Sequence, residues 1–205
     1  MNIHPAQQGS GEWLAARSTR LTASNLSKVL TPAKLEYSKQ ADALALVTAA
    51  ARVFGVYEDS VSTFYTERGL ELEDEARDAY SFLTGNKVRQ VGLCITDDGL
   101  FGASPDGLTG EGESLRVVEI KCPSLAVHLS YLMAATVPTD YRLQVQGEMY
   151  ATGAKEADFF SYYPGLPTLL VKVYPDPVVF AALDEALPKF EHAVQMAVKA
   201  LESLK

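Results

Sequence analysis

The sequence predicts an α/β (α+β) fold with a central mixed β-sheet flanked by helices. Three observations lead there. Helical apolar spacing dominates before residue 84 and after residue 177. Short extended segments, punctuated by glycine and proline, fill residues 87–121. Two more extended segments follow a pair of helical stretches, so strands and helices alternate around what reads as one sheet.

The elements follow in chain order. Gly9-Ser10-Gly11 leads into Glu12-Trp13-Leu14-Ala15-Ala16-Arg17, a short helix. Leu21-Thr22-Ala23-Ser24 precedes a second helix start over 25–30, with Thr22 or Ser24 expected as its N-cap. The Ala- and Leu-rich stretch Ala41–Phe54 is a third helix. Residues 63–83 form the clearest amphipathic helix. Leu72, Ala76, Tyr80 and Leu83 make its apolar stripe, Glu73 and Arg77 an i,i+4 pair beside it, and Gly85-Asn86 its end. Segments 87–95, 100–103 and 115–121 read as an antiparallel meander, with turns at Asp97-Asp98-Gly99 and Gly110-Glu111-Gly112-Glu113. Residues 126–135 and 140–152 read as helices. Strands over 157–163 and 168–174 are joined through Pro164-Gly165. Residues 177–204 form a long C-terminal helix carrying Phe180, Leu183, Leu187, Phe190, Val194 and Val198 on one face.

At 205 residues the chain is expected to form a single domain over 1–205, and its 47% hydrophobic content supports a core without metal or disulfides. No apolar run approaches the ~18 residues of a membrane span, and Met1-Asn2-Ile3-His4-Pro5 lacks the basic and apolar regions of a signal peptide. A cytoplasmic location is therefore expected. Cys94 and Cys122 are too few for a disulfide framework and read as buried free thiols. The net charge of -8 argues against broad nonspecific nucleic-acid binding, yet clustered carboxylates and a local basic groove can share one acidic chain.

The chemistry concentrates in Ser104-Pro105-Asp106-Gly107 and Val118-Glu119-Ile120-Lys121-Cys122-Pro123. Side chains alternate along a strand, so Glu119 and Lys121 share a face. A hairpin returning from the Pro-Asp-Gly break brings Asp106 beside Glu119. Two close carboxylates repel unless a cation or a shared proton lies between them. All-oxygen ligation suits Mg²⁺ or Mn²⁺.

Asp-x(n)-Glu-x-Lys on such strands is the signature of the PD-(D/E)xK nuclease superfamily. The wider order is more specific. Trp13-Leu14-Ala15-Ala16-Arg17, Leu21-Thr22-Ala23-Ser24, Arg68-Gly69 with Glu73, Ser104-Pro105-Asp106-Gly107-Leu108, Glu119-Ile120-Lys121-Cys122-Pro123 and Gln144-Val145-Gln146 follow one another along the chain. This ordered set resembles the phage lambda exonuclease family of viral alkaline exonucleases and recombinases, over roughly residues 10–165.

The resemblance implies a restriction-endonuclease-like core and a Mg²⁺- or Mn²⁺-dependent 5′→3′ exonuclease with two ions per site. Such an enzyme digests one strand of linear duplex DNA and leaves a 3′ overhang for a single-strand annealing protein. It also implies a homotrimeric ring. By position, Asp106, Glu119, the main-chain carbonyl of Ile120 and Glu73 match metal-binding groups, and Lys121 matches the catalytic lysine. Gln144 matches the glutamine that places the attacking water. Arg17, Thr22, Ser24 and Ser104 match residues that hold the DNA 5′-phosphate. Arg17, Lys28, Arg68 and Lys87 are expected to line a local basic channel. His4, His128 and His192 have no ligand spacing. Two alternatives stay open on the residues themselves: an endonuclease of the same fold, and a silent DNA-end-binding accessory protein.

Overall fold

The computed structural model describes residues 1–57 and 64–205, with side chains described outside 64–70. It contains seven α-helices and eight short strands among the described residues. The first part of the chain gives β1 (Asn2–Ile3), α1 (Gly11–Ser18), β2 (Leu21–Thr22), α2 (Leu26–Val29), α3 (Ala41–Phe54) and α4 (Phe64–Thr84). The middle gives β3 (Cys94–Ile95), β4 (Phe101–Ala103), β5 (Gly107–Thr109) and β6 (Arg116–Lys121). The last part gives α5 (Leu125–Ala134), α6 (Thr139–Thr152), β7 (Glu156–Ser161), β8 (Leu169–Val173) and α7 (Pro177–Glu202). No helix among the described residues is long and apolar enough to cross a membrane.

The mixed α/β class is as expected, but the strands divide between two four-stranded mixed sheets rather than one. Their orders are β1-β3-β4-β2 and β5-β6-β7-β8. The predicted meander is therefore split. The strand 100–103 does not pair with 115–121; the antiparallel neighbour of β6 is β5, in register Gly107↔Val118. Gly107, read as part of a break, opens that strand. A Cβ there would stand 2.1 Å from Val88 Cγ1, so the close approach requires glycine. Of the expected strand 87–95 only Cys94–Ile95 is regular, with Arg89 making a single bridge to Leu108.

Alternation along β6 places Val117 in a cluster with Val145 and Met149 of α6, and Val118 and Ile120 in a cluster with Ala76 and Tyr80 of α4. Glu119 and Lys121 thus share the α6 face with Val117. β6 runs parallel to β7, and the connection between them contains both α5 and α6. A third cluster joins α3, α7, α6 and the β2–β4 pair through Ala45, Phe101, Leu143, Leu183 and Phe190.

On α4, Ala76 and Tyr80 are buried as predicted, Leu72 is half-buried, and Leu83 is exposed. Thr63 lies outside the described residues. Arg77, read from the sequence as the i,i+4 partner of Glu73, is buried and bridges Glu73 at 2.5 Å, as expected, and Asp74 at 2.6 Å. Cys94 is buried, and burial pushes its thiol up to about 11. Cys122 is only half-buried, beside the cleft described next.

Candidate nuclease site

β5 begins at Gly107 opposite Val118, so Asp106 stands just before the strand, at the level of Glu119. Its Oδ2 accepts a hydrogen bond from the Ile120 amide at 2.6 Å. A strand residue sends its N–H and C=O to the same edge, so the Ile120 carbonyl faces the Asp106 edge as well. Glu119 is fully buried, and its Oε1 accepts from Lys121 Nζ and, at 2.6 Å, from Gln144 Nε2 of α6. Lys121 Nζ also lies 5.0 Å from the centre of the Tyr141 ring, a cation–π contact.

These groups border a cleft of about 930 Å³. Glu119 lies behind its wall, screened by Lys121 and Gln144. Glu73 of α4 reaches the wall while paired to Arg77. Arg17, Thr22, Ser24 and Ser104 line the same cleft, so every residue assigned a metal-binding, catalytic or 5′-phosphate role from the sequence lies on it or, for Glu119, directly behind it.

Three of the four phosphate candidates are hydrogen-bonded to one another, and the fourth, Ser104, joins them through Trp13. Arg17 donates to Ser24 Oγ at 3.0 Å, and the Thr22 and Ser24 hydroxyls are 3.2 Å apart. Thr22 therefore makes no side-chain cap for the 3₁₀ turn Ala23–Asn25 that it precedes, because its hydroxyl is engaged in the cleft. Trp13 is buried, as its apolar ring suggests, but it also organises the cleft: its Nε1 donates to Ser104 Oγ at 2.9 Å, and Arg17 stacks 4.5 Å from its ring centre.

The sequence reading missed two more contributors. Gln8 donates to the carbonyls of Pro105 and Val91, both at 2.9 Å, and so ties the N-terminal segment to the turn that carries Asp106. No local pattern marks it. Glu148, one helical turn after Gln144, accepts from Gln144 Nε2 at 3.0 Å and is 1% exposed. Its i,i+4 spacing from Gln144 was the available signal. Gln146, the other glutamine of that motif, points elsewhere. It donates to the Tyr174 carbonyl and accepts from the Asp176 amide, fastening α6 to the start of α7.

The basic channel takes shape only in part. Arg17 is on the cleft wall, whereas Lys28 and Lys87 are exposed away from it, and the Arg68 side chain lies outside the described residues. The site itself is acidic: Glu73, Asp106, Glu119 and Glu148 face Lys121 and Arg17. Burial, and then the charge of Glu119, push the Asp106 carboxyl up to about 8. Burial followed by Glu119 also raises Glu148. Burial raises Glu73 against the opposing charge of Arg77. For Lys121, burial opposes the charged form, but Glu119 and Asp106 outweigh it and hold the ammonium well above its ordinary value.

Among the described residues, no three His, Cys, Asp or Glu side chains close around a single point as a cation cage. The Lys121 ammonium takes the neutralising position beside Glu119. The donor chemistry nevertheless fits a hard divalent cation. Glu119 Oε2 is buried with no hydrogen-bond partner among the described residues, and Asp106 and the Ile120 carbonyl face one edge beside it.

The raised carboxyls set a pH dependence. A carboxyl raised on folding binds its proton more tightly folded than unfolded. Asp106 therefore lowers stability above about pH 8 and returns it as pH falls toward the unfolded value of about 3.9. Glu148 acts with the same sign. Lys121, raised from an ordinary value near 10.4, contributes fully throughout this window. In cation-free buffer the wild-type Tm should fall from pH 6 to pH 9 more steeply than that of Asp106→Asn. Equal slopes would show that Asp106 is an ordinary surface carboxylate.

The Pro-Asp turn, the Glu-x-Lys strand and the α-helices packed on mixed sheets define a protein of the PD-(D/E)xK nuclease fold class. Residues 12–155 match the YqaJ-like viral recombinase domain, and the chain belongs to this family, within the phage lambda exonuclease group. LHK-Exo, an alkaline exonuclease from Laribacter hongkongensis, is 30% identical across 95% of this chain and 97% of its own, with a TM-score of 0.80. The structure of LHK-Exo in complex with dAMP matches over the same shares with a TM-score of 0.81. A phage related exonuclease from Haemophilus somnus 129PT shares the fold at 15% identity and a TM-score of 0.68, over 91% of this chain and 96% of its own. Among curated proteins none matches.

Proposed function

We propose that this protein is a divalent-cation-dependent 5′→3′ exonuclease acting on ends of duplex DNA, as one 1–205 domain. The observation that carries the reading is the balance of charge at the cleft. Four carboxyl groups, Glu73, Asp106, Glu119 and Glu148, crowd together against Lys121, Arg17 and the Arg77 paired to Glu73, and a divalent cation in place of their protons would relieve that crowding and attract a DNA phosphate. Asp106, Glu119 and the Ile120 carbonyl would hold that cation, with Glu73 supporting a second. Bound there, Mg²⁺ or Mn²⁺ supplies Lewis-acid stabilisation of charge on the attacked phosphate and a more acidic water.

The chain's own residues do the rest. Gln144 places the attacking water from the α6 side. Lys121, kept as an ammonium, donates to the phosphate oxygens as negative charge builds up on them. Arg17 offers a planar fork to a terminal phosphate, with hydroxyl donors from Thr22, Ser24 and Ser104 around it. A phosphate seated there sets the register of the cut. The dAMP complex of LHK-Exo is in keeping with a mononucleotide product. The 3′ overhang would pass to a single-strand annealing protein, and a trimeric ring would keep the enzyme on its strand; light scattering gives the assembly's mass directly.

The test compares 5′-phosphorylated linear, 5′-hydroxyl linear and closed circular duplex, each with and without Mg²⁺. Wild type should degrade the phosphorylated linear duplex much faster than the hydroxyl form and leave the circle intact, only with Mg²⁺. A terminal hydroxyl leaves Arg17, whose charge burial already disfavours, without its anion. Arg17→Ala should bring the two linear rates together. Cleavage of the circle would replace this reading with an endonuclease. No cleavage of any substrate would favour a DNA-end-binding accessory protein.

A further inference from the structure

Glu148 is the buried cleft carboxylate to which the proposed function gives no task. It lies on α6 one turn after Gln144, is 1% exposed, and leaves its Oε2 without a hydrogen-bond partner among the described residues. Burying a carboxyl group is unfavourable unless it is hydrogen-bonded, paired or protonated. No family motif quoted from this sequence includes it.

The Gln144 amide shows what Glu148 does. Its Nε2 donates to Glu119 Oε1 at 2.6 Å and to Glu148 Oε1 at 3.0 Å. An amide NH₂ carries two protons, and the two carboxylates take both. The remaining polar capacity of the side chain is acceptance at its carbonyl Oε1. Turning the amide over would press Oε1 against two carboxylate oxygens, which repel it. With Glu119 alone, one N–H would stay free to face the cleft as a donor. An attacking water has to give up a proton, so it needs an acceptor beside it rather than a competing donor.

We infer that Glu148 is a positioning residue: together with Glu119 it locks the Gln144 amide so that the carbonyl oxygen, not the NH₂ group, is presented to the attacking water. This rests on the proposed role of Gln144 in placing that water. In this role Glu148 acts through Gln144 rather than as a ligand of the cation. A carboxyl oxygen of Glu148 accepts this N–H whether or not the group carries a proton, whereas an amide in its place can turn and donate.

The experiment uses the full chain as wild type, Glu148→Ala, Glu148→Gln, Gln144→Ala and the Glu148/Gln144 double alanine variant. Rates are measured on 5′-phosphorylated linear duplex with Mg²⁺. Mn²⁺ affinity is measured by calorimetry on the DNA-free protein, and folding by thermal unfolding. Glu148→Ala should lower kcat by about 10- to 100-fold, as loss of an outer contact does, with KM and Mn²⁺ affinity unchanged. Glu148→Gln, nearly isosteric and safe for the fold, should recover part of that loss. In the Gln144→Ala background, Glu148→Ala should add nothing.

One readout is independent of activity. The Gln144 side-chain NH₂ resonance, assigned by its loss in Gln144→Ala, should shift and exchange faster in Glu148→Ala. An unmoved resonance, an unchanged kcat in Glu148→Ala, or losses that add in the double variant would each overturn the inference. Weakened Mn²⁺ affinity in Glu148→Ala would overturn it too, by making Glu148 a metal ligand. If Gln144→Ala keeps wild-type kcat while the resonance still moves, the amide lock stands as structure, but the water-placing role fails and takes the functional inference with it.

Discussion

Asp106→Asn and Glu119→Gln should each lose Mg²⁺-dependent cleavage by about a thousandfold or more while the protein stays folded. A bound cation contributes several kcal/mol of charge stabilisation, and each 1.36 kcal/mol is tenfold in rate. The amide variants are the clean ones here. In Asp106→Asn the side-chain carbonyl can still accept from the Ile120 amide. In Glu119→Gln it can still accept from Lys121 and Gln144. The hydrogen bonds that hold β5, β6 and α6 together therefore survive both changes. Glu119→Ala is a harsher change, because it strands the Lys121 ammonium without its partner in a buried setting. Both amide variants should also bind Mn²⁺ more weakly in calorimetry. Cleavage within tenfold of wild type in either variant would remove these residues from the site.

Lys121→Ala should cut the rate by about 10²–10⁴ with binding to DNA ends retained, the range expected when a single proton-handling or charge-stabilising group is removed. Lys121→Arg should fail as well. The ammonium sits between Glu119 and the face of Tyr141, a space that suits a compact charge on a flexible stem. A planar guanidinium would form a fork with the carboxylate instead and hold Glu119 away from the cation. Single-turnover cleavage beside end binding by fluorescence anisotropy separates the two effects. An active Lys121→Arg enzyme would mean that only the positive charge matters at this position.

Much of this site is local in sequence, and local features can be read directly. Period-two alternation alone puts Glu119 and Lys121 on one face, and the Pro-Asp-Gly turn puts a carboxylate where a strand must stop. Helical spacing likewise places α3 and α7 almost to the residue, because each buries a stripe against the other, and α4 to within a residue, although its stripe is buried only at Ala76 and Tyr80 among the described side chains.

The tertiary structure decided what those signals leave open. β5 is three residues long, too short to carry a period, so the pairing partner of β6 and the split into two sheets were set by packing. α6 lies between both sheets and α7 and buries residues around most of its circumference. It therefore shows little amphipathic contrast, and Glu148 looks in sequence like a solvated helix glutamate. Trp13 and Ser104 are 91 residues apart and meet through one hydrogen bond, and Gln8 reaches across to the Asp106 turn. The sequence by itself determined which carboxylates, lysine and hydroxyls the protein carries, and the local geometry of their strands. Only the folded chain decided which buried partners orient them, because those contacts depend on how distant segments close around a shared cleft.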